Sequence, residues 1–317
     1  METVNSGRPG SFSRRRQPPV IAERLNLLLI SAVAVLTLGL LWLGSHLPLG
    51  GTLLCGLLMA FVLLTNYALM HEAAHRVLHG QRWLNDLLGS FAGMLFPMSF
   101  TLLRFGHAVH HCCNRTDHEM FDYYYPHDRL WLKYGQWYGL ISGLYYPLVP
   151  LGSILLAVAP ALLRSGPFRR ARTTAVLFDD FGAPQIRRVR IEVVATAVFW
   201  WAMFAWLDLQ WQSVLLMYAC FGFNWATRQY VTHAFSRRDV MSGAWNMRVS
   251  RPMGWILLNG QWDLVHHQQP WLPWTELAKA GQNSEPPVSY WRHYFRQWLG
   301  PRPNTEPAPQ PLPRMPD

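Results

Sequence analysis

Eight of the 13 histidines in this 317-residue chain fall into a few tight groups. They are His71 and His75; His107, His110 and His111; His233; and His266 and His267. Imidazole is a common ligand for transition metals, and gathered rings repel one another when protonated but share a cation when neutral. In His71-Glu-Ala-Ala-His75 a helix presents both rings on one face, toward one metal region, and His79 continues that face by another turn. In His107-Ala-Val-His110-His111 the outer pair again shares a face, and the third ring is rotated by about 100 degrees, suited to a second metal or to bridging. Cys112 and Cys113 adjoin this group as possible soft ligands but read as bystanders. His46, His118, His127 and His293 are single residues, expected to be solvated or hydrogen-bonded.

Every histidine group lies at the end of an apolar run or just beyond it, so the elements that must position them are membrane helices. Half of the chain is hydrophobic and only 15% is charged, against about 25% charged in ordinary soluble domains. Spans are expected at 25–46, 51–70, 191–207 and 211–230; about 20 apolar residues cross a hydrocarbon core of about 30 Å. The linker Ser45-His-Leu-Pro-Leu-Gly-Gly51 has no Lys or Arg and is assigned outside, whereas the Arg-rich stretch 164–190 is assigned to the cytoplasm. Residues 136–163, broken by Pro147, Pro150 and Pro160, read as a hairpin or interfacial pair that returns to the same side. Residues 84–103, interrupted by Gly89, Gly93 and Pro97, read as an interfacial helix.

Three parts are therefore expected: a disordered basic tail at 1–24, a membrane domain at 25–300, and a disordered Pro-rich tail at 301–317. The net charge of +10 is spread between apolar runs instead of forming one stripe interleaved with stacking aromatics, which argues against nucleic acid. Four cysteines at irregular spacing make no disulfide framework.

The order His71-x-x-x-His75, His107-x-x-His110-His111, then His266-His267 followed by Pro270, interleaved with spans, resembles the membrane fatty acid desaturase and hydroxylase superfamily. The resemblance covers about 25–275. It implies an all-α integral membrane protein, with four transmembrane helices, interfacial helices and a cytoplasmic histidine-rich cap holding two non-haem irons. His233 is the counterpart of an extra ligand near the end of the fourth span in acyl-CoA desaturases of this superfamily. The usual last box, His-x-x-His-His, reads Asp263-Leu-Val-His266-His267 here, so Asp263 either ligates metal or orients a ligand histidine. The metal set is thus His71, His75, His107, His110, His111, His233, Asp263, His266 and His267, and the eight histidines are the catalytic set. Asn114-Arg115-Thr116-Asp117, Glu119 and Ser236-Arg237-Arg238-Asp239 look like a bacterial branch that includes fatty acid decarboxylases forming terminal alkenes.

The resemblance implies an oxidoreductase that uses O2 on a C–H bond of a fatty acyl chain, foremost a desaturase, in a bacterial inner membrane with both termini and the active site cytoplasmic. Hydroxylation and decarboxylation stay open. No haem-binding His-Pro-Gly-Gly stretch or ferredoxin-type cysteine run is seen, so electrons are expected from a separate donor such as ferredoxin or cytochrome b5. Trp200, Trp201, Trp206, Phe221, Phe223 and Trp225 are candidate linings of an acyl tunnel, and Arg228, Arg237 and Arg238 are candidate anchors for a carboxylate or CoA phosphate. Three rivals stand beside this reading. His71-Glu72-Ala73-Ala74-His75 also fits an intramembrane zinc protease with Glu72 as base. Pro270-Trp-Leu-Pro-Trp274 also resembles carotenoid ketolases and hydroxylases, and a haem or metal carrier would need no catalysis.

Overall fold

The computed structural model describes residues 19–166 and 181–313. Two long apolar helices come first, α1 (Glu23–His46) and α2 (Leu49–Ala74). They fold back on each other because Leu47 and Pro48 are extended, and Thr52 Oγ1 closes the turn by donating to Gly44 O at 2.8 Å. Then follow α3 (Arg82–Leu95), α4 (Phe100–Cys113), β1 (Tyr123–Tyr124), α5 (Leu130–Ile141) and α6 (Leu148–Val158). A 3-10 turn at Pro160–Arg164 precedes α7 (Ala183–Leu207), and a left-handed Asp208 turns the chain into α8 (Trp211–Gln229). The C-terminal third is short pieces: β2 (Met247–Arg248), α9 (Arg251–Ile256), α10 (Asp263–Gln268), α11 (Trp274–Gly281), β3 (Val288–Ser289), α12 (Tyr290–Gln297) and β4 (Arg302–Pro303). β1 pairs in parallel with β4, and β2 with β3.

The helical bundle is built around α2, which packs against α1 on one side and α8 on the other. Leu41, Met59, Leu63, Met217 and Phe221 form the fully buried centre. Gly56 permits the close approach of α8, since a Cβ there would stand 3.1 Å from both Met217 Cα and Cys220 Sγ. Outward-facing Leu36, Trp42, Leu54, Leu57, Val198 and Trp201 are exposed; an apolar surface of this kind is a lipid-facing one.

Among the described residues α1, α2 and α7 are long and apolar enough to cross a membrane. The pair α3–α4, bent by 100° at its break, adds a fourth candidate if counted as one broken span. This differs in one respect from the expected four. The stretch 211–230 is a 19-residue helix, but Gln212, Asn224, Arg228 and Gln229 make it less apolar than the other three. The interruptions at 84–103 take effect at residues 96–99, where Ser99 caps the new helix by accepting from Leu102 N. The proline-broken stretch 136–163 divides into part of α5, α6 and the 3-10 turn, with Pro147 before α6 and Pro160 opening the turn.

The expected C-terminal tail is described as far as residue 313. The tail from 301 is Pro-rich, yet residues 301–313 are strapped to the body by backbone bonds: Arg302 N to Asp122 O, Asn304 N to Tyr124 O and Leu312 N to Cys112 O. Proline lacks a donor, but the residues between the prolines supply it. Most of the expected N-terminal tail, 1–18, and Arg169, Arg170, Arg172, Asp179 and Asp180 lie outside the described residues.

Candidate metal centre

Four elements bring the histidines together. His71 occupies the last turn of α2 and His75 caps its end. His107, His110 and His111 lie along α4. His233 follows α8 in a run of turns, and Asp263, His266 and His267 belong to the short α10. Helix α2 stops here because Arg76 turns left-handed, with φ 62°. That stop removes His79 from the expected face: its Nε2 lies 3.7 Å from Glu23, and its Nδ1 accepts from Gln81 N.

The rings form two groups, His71, His75, His107 and His266 in one, and His110, His233 and His267 in the other. Within each group one ligand atom per residue lies within 4.8 Å of all the others. His111 stands between them. Its Nε2 is 3.0 Å from Nε2 of both His107 and His266, and its ring centroid is 4.5 Å from that of His267. His75 Nε2 and His107 Nε2 are 2.7 Å apart. All eight sequence-predicted histidines are therefore in one constellation. Asp263 joins it, with Oδ2 3.0 Å from His233 Nε2 and Oδ1 4.0 Å from His267 Nε2.

This donor set fits cations. The chain of Nε2 contacts from His75 through His107 and His111 to His266 places lone-pair nitrogens against one another, and both ring nitrogens of His267 are buried without a hydrogen-bond partner among the described residues. Buried polar atoms without partners are costly, and a shared metal ion satisfies them together. Burial, with the neighbouring imidazoles, pushes His266 and His267 well below the ordinary histidine value, so both rings are neutral and able to ligate. Burial alone would raise Asp263, but the adjacent His233 outweighs it and holds the carboxyl ionised and below the usual range.

Outer partners set the ring orientations. His110 Nδ1 donates to Glu119 Oε2 at 3.2 Å, and His233 Nδ1 donates to Gly243 O at 3.1 Å, which leaves each Nε2 facing the centre. Gly243 O also accepts from Asn114 Nδ2 and Ser236 Oγ. Arg115, fully buried, pairs with Asp122 at 2.8 Å and donates to Tyr230 OH and Ser236 O. The polar runs at 114–119 and 236–239 thus clamp the loop that carries His233. Among them, Gly243 carried no signal in the sequence, because a backbone carbonyl has no residue type.

Other candidates fall elsewhere. Cys112 and Cys113 sit in an apolar cluster with Val109 and Phe105, outside both groups. His46, His118, His127 and His293 are also outside them. Glu72 is buried, and its carboxylate accepts the Trp274 backbone N–H at 2.9 Å. That bond ties one carboxyl oxygen to the backbone, and a zinc protease built on this motif leaves the second histidine group without a purpose.

The histidines open onto a cavity of about 1170 Å³. Its walls are mostly apolar, with Leu64 and Ala68 of α2, Leu102 and Leu103 of α4, and Leu151 and Leu155 of α6. Of the six aromatic candidates for a tunnel lining, Trp225 alone reaches the cavity. Trp201, Trp206 and Phe223 are exposed on the outer surface, Trp200 donates to Met94 O, and Phe221 is packed in the core. Arg228 reaches the cavity; Arg237 and Arg238 pair with Glu285 and Asp117.

No curated protein matches the chain. The family model for fatty acid desaturase matches residues 46–299, from just before α2 to just past α12, and so takes in every histidine of the constellation. The chain belongs to the fatty acid desaturase family.

Proposed function

We propose that this protein is an O2-dependent, di-iron fatty acyl desaturase of a bacterial inner membrane. The observation that carries the reading is the convergence of eight histidines beside an apolar cavity large enough for an acyl chain, with His71, His107, His110, His233 and His266 in its wall. His71, His75, His107 and His266 would hold a first iron, and His110, His233 and His267 a second, with His111 between the two groups and Asp263 beside the second. The chemistry that a bound iron pair supplies is reduction of dioxygen, coupled to removal of hydrogen from an unactivated C–H bond. The reaction balances as one O2, two substrate hydrogens, two electrons and two protons giving an alkene and two waters. The electrons come from a separate donor protein.

The protein's own residues position and shield. Glu119 and the Gly243 carbonyl accept from Nδ1 of His110 and His233, which turns both Nε2 atoms inward. Asp263 adds a negative charge beside the second group, where the family's last box usually carries a histidine. Leu64, Ala68, Leu102 and Leu155 exclude water along the apolar part of the cavity, where shape restricts which carbons can face the rings. With α8 taken as a further span beside α2, Arg187, Arg188 and Arg190 at the start of α7 favour the cytoplasmic side for the histidines by the positive-inside rule.

Lipid profiling by mass spectrometry tests this reading directly. Cells expressing the chain should accumulate an unsaturated acyl product absent from cells expressing His110→Ala. Identical profiles in the two would refute it.

A further inference from the structure

Three arginines near the site have different fates. Arg237 Nη2 lies 2.8 Å from Glu285 and Arg238 Nη2 lies 2.9 Å from Asp117, so both charges are compensated. Arg228, near the end of α8, lines the cavity instead. Its Nε donates to Asn224 Oδ1 at 2.8 Å and its Nη1 to Tyr290 OH at 2.9 Å. Phe61 and Tyr290 flank the guanidinium, their ring centroids 5.7 and 5.6 Å from Cζ. Among the described residues no carboxylate is paired with Arg228, its Nη2 makes no protein hydrogen bond, and no other Lys or Arg lines the cavity.

A guanidinium held by two neutral partners and enclosed by aromatic faces is a preset half of an ion pair. Its attraction for an anion is stronger there than in bulk water, because the apolar walls lower the local dielectric. Its planar fork matches a carboxylate. A single positive charge balances a single negative one, whereas the several phosphate charges of a CoA thioester need several cations. We propose that Arg228, oriented by Asn224 and Tyr290, anchors the free carboxylate of a long-chain fatty acid, a claim that rests on reading the cavity as the acyl site.

The anchor also sets where the reaction falls. Phe61, beside the guanidinium, precedes His71 on α2 by about ten residues, on the order of 15 Å at ~1.5 Å per residue. A carboxylate on Arg228 therefore presents the histidines with a carbon well down the chain, not one next to the carboxyl group. The carboxyl group stays on the product, and loss of carbon dioxide to form a terminal alkene is disfavoured.

The test uses the full-length, metal-loaded protein in membranes with an added electron donor. A series of saturated fatty acids and their methyl esters serves as probes. Wild type should favour the acid over its ester by about tenfold or more in kcat/KM, as a charge-assisted pair implies. Arg228→Gln should lose that preference through a raised KM for the acid, Arg228→Lys should keep part of it, and the product should retain its carboxyl group. Tyr290→Phe, a milder change, guards against misfolding in the others and should reduce the preference without loss of bound metal. Turnover of acid and ester alike in wild type, or an undiminished preference in Arg228→Gln, overturns the anchor and leaves the acyl-oxidase reading intact. No turnover of either probe series by metal-loaded wild type strikes down that reading, and the anchor with it.

Discussion

Asp263 Oδ2 lies 3.0 Å from His233 Nε2, an oxygen beside a nitrogen at the edge of the second histidine group. The pairing joins α10 to the turn after α8, two segments that share no local sequence signal. On the di-iron reading a carboxylate here would serve as a ligand or as the partner that keeps His233 in place, and either role would tie it to a bound metal. Asp263→Ala should lower bound metal and turnover by about 10–100-fold, the range typical for loss of such partners. Metal analysis beside a turnover assay checks this, and full metal with full activity would reduce Asp263 to an ordinary buried carboxylate.

His110 and His267 belong to the same group but differ in support. His110 is held by Glu119, whereas His267 is buried with neither ring nitrogen hydrogen-bonded among the described residues. Replacing either by Ala should abolish turnover and lower bound iron while the protein still inserts in the membrane. Membrane fractionation with iron analysis reads both outcomes; normal activity in either variant contradicts the ligand assignment.

Glu119→Gln keeps the size of the side chain and removes its charge. The His110 ring can still be held, but its Nε2 becomes a weaker donor to metal. A fall in metal affinity of about 10–100-fold is expected, with little change in thermal stability. An unchanged metal titration would show that Glu119 acts on the loop alone.

Glu192 supports α4 from a distance. From α7 its carboxylate accepts from Ser90 Oγ, Ser99 Oγ, Thr101 N and Thr101 Oγ1, so it fastens the first turn of the helix that presents His107, His110 and His111. Glu192→Leu leaves those donors without their partner and should cost about 1–3 kcal/mol of stability. Thermal melts in detergent or nanodiscs measure this, and Glu192→Gln should recover part of the loss.

Protons would compete with a bound metal for the α10 histidines. Burial holds His266 and His267 well below the ordinary value of 6.5, so the unfolded chain takes up protons before the folded one does. Their contribution to stability is complete above that value and falls as pH drops through it. Metal-stripped protein should therefore melt at a lower temperature near about pH 5.5 than near about pH 7.5. A flat profile would mean that the rings are hydrated and not buried.

Much of the centre was legible because metal chemistry constrains residue type and spacing together. His71 and His75, four apart, and His107, His110 and His111 within one helix could be read as faces before any fold was known. His79 misled because the same spacing argument assumes an unbroken helix, and the left-handed Arg76 ends it. The orienting partners were less visible, since Gly243 acts through its carbonyl and the pairing of Glu119 with His110 depends on how the chain leaves α4. Which aromatic reaches the cavity was not legible, because hydropathy does not distinguish Trp201, turned outward, from Trp225, turned toward the cavity. The strap at 301–313 was hidden by composition: prolines suggest disorder, while the intervening Arg302, Asn304 and Leu312 donate to the cap.

Metal analysis of full-length protein purified from membranes, with its ultraviolet–visible spectrum, decides whether the two histidine groups hold two irons. Two irons per chain with no haem Soret band are expected, with a marked loss of iron in His110→Ala. One zinc per chain, a haem spectrum, or iron unchanged in His110→Ala would overturn the di-iron reading.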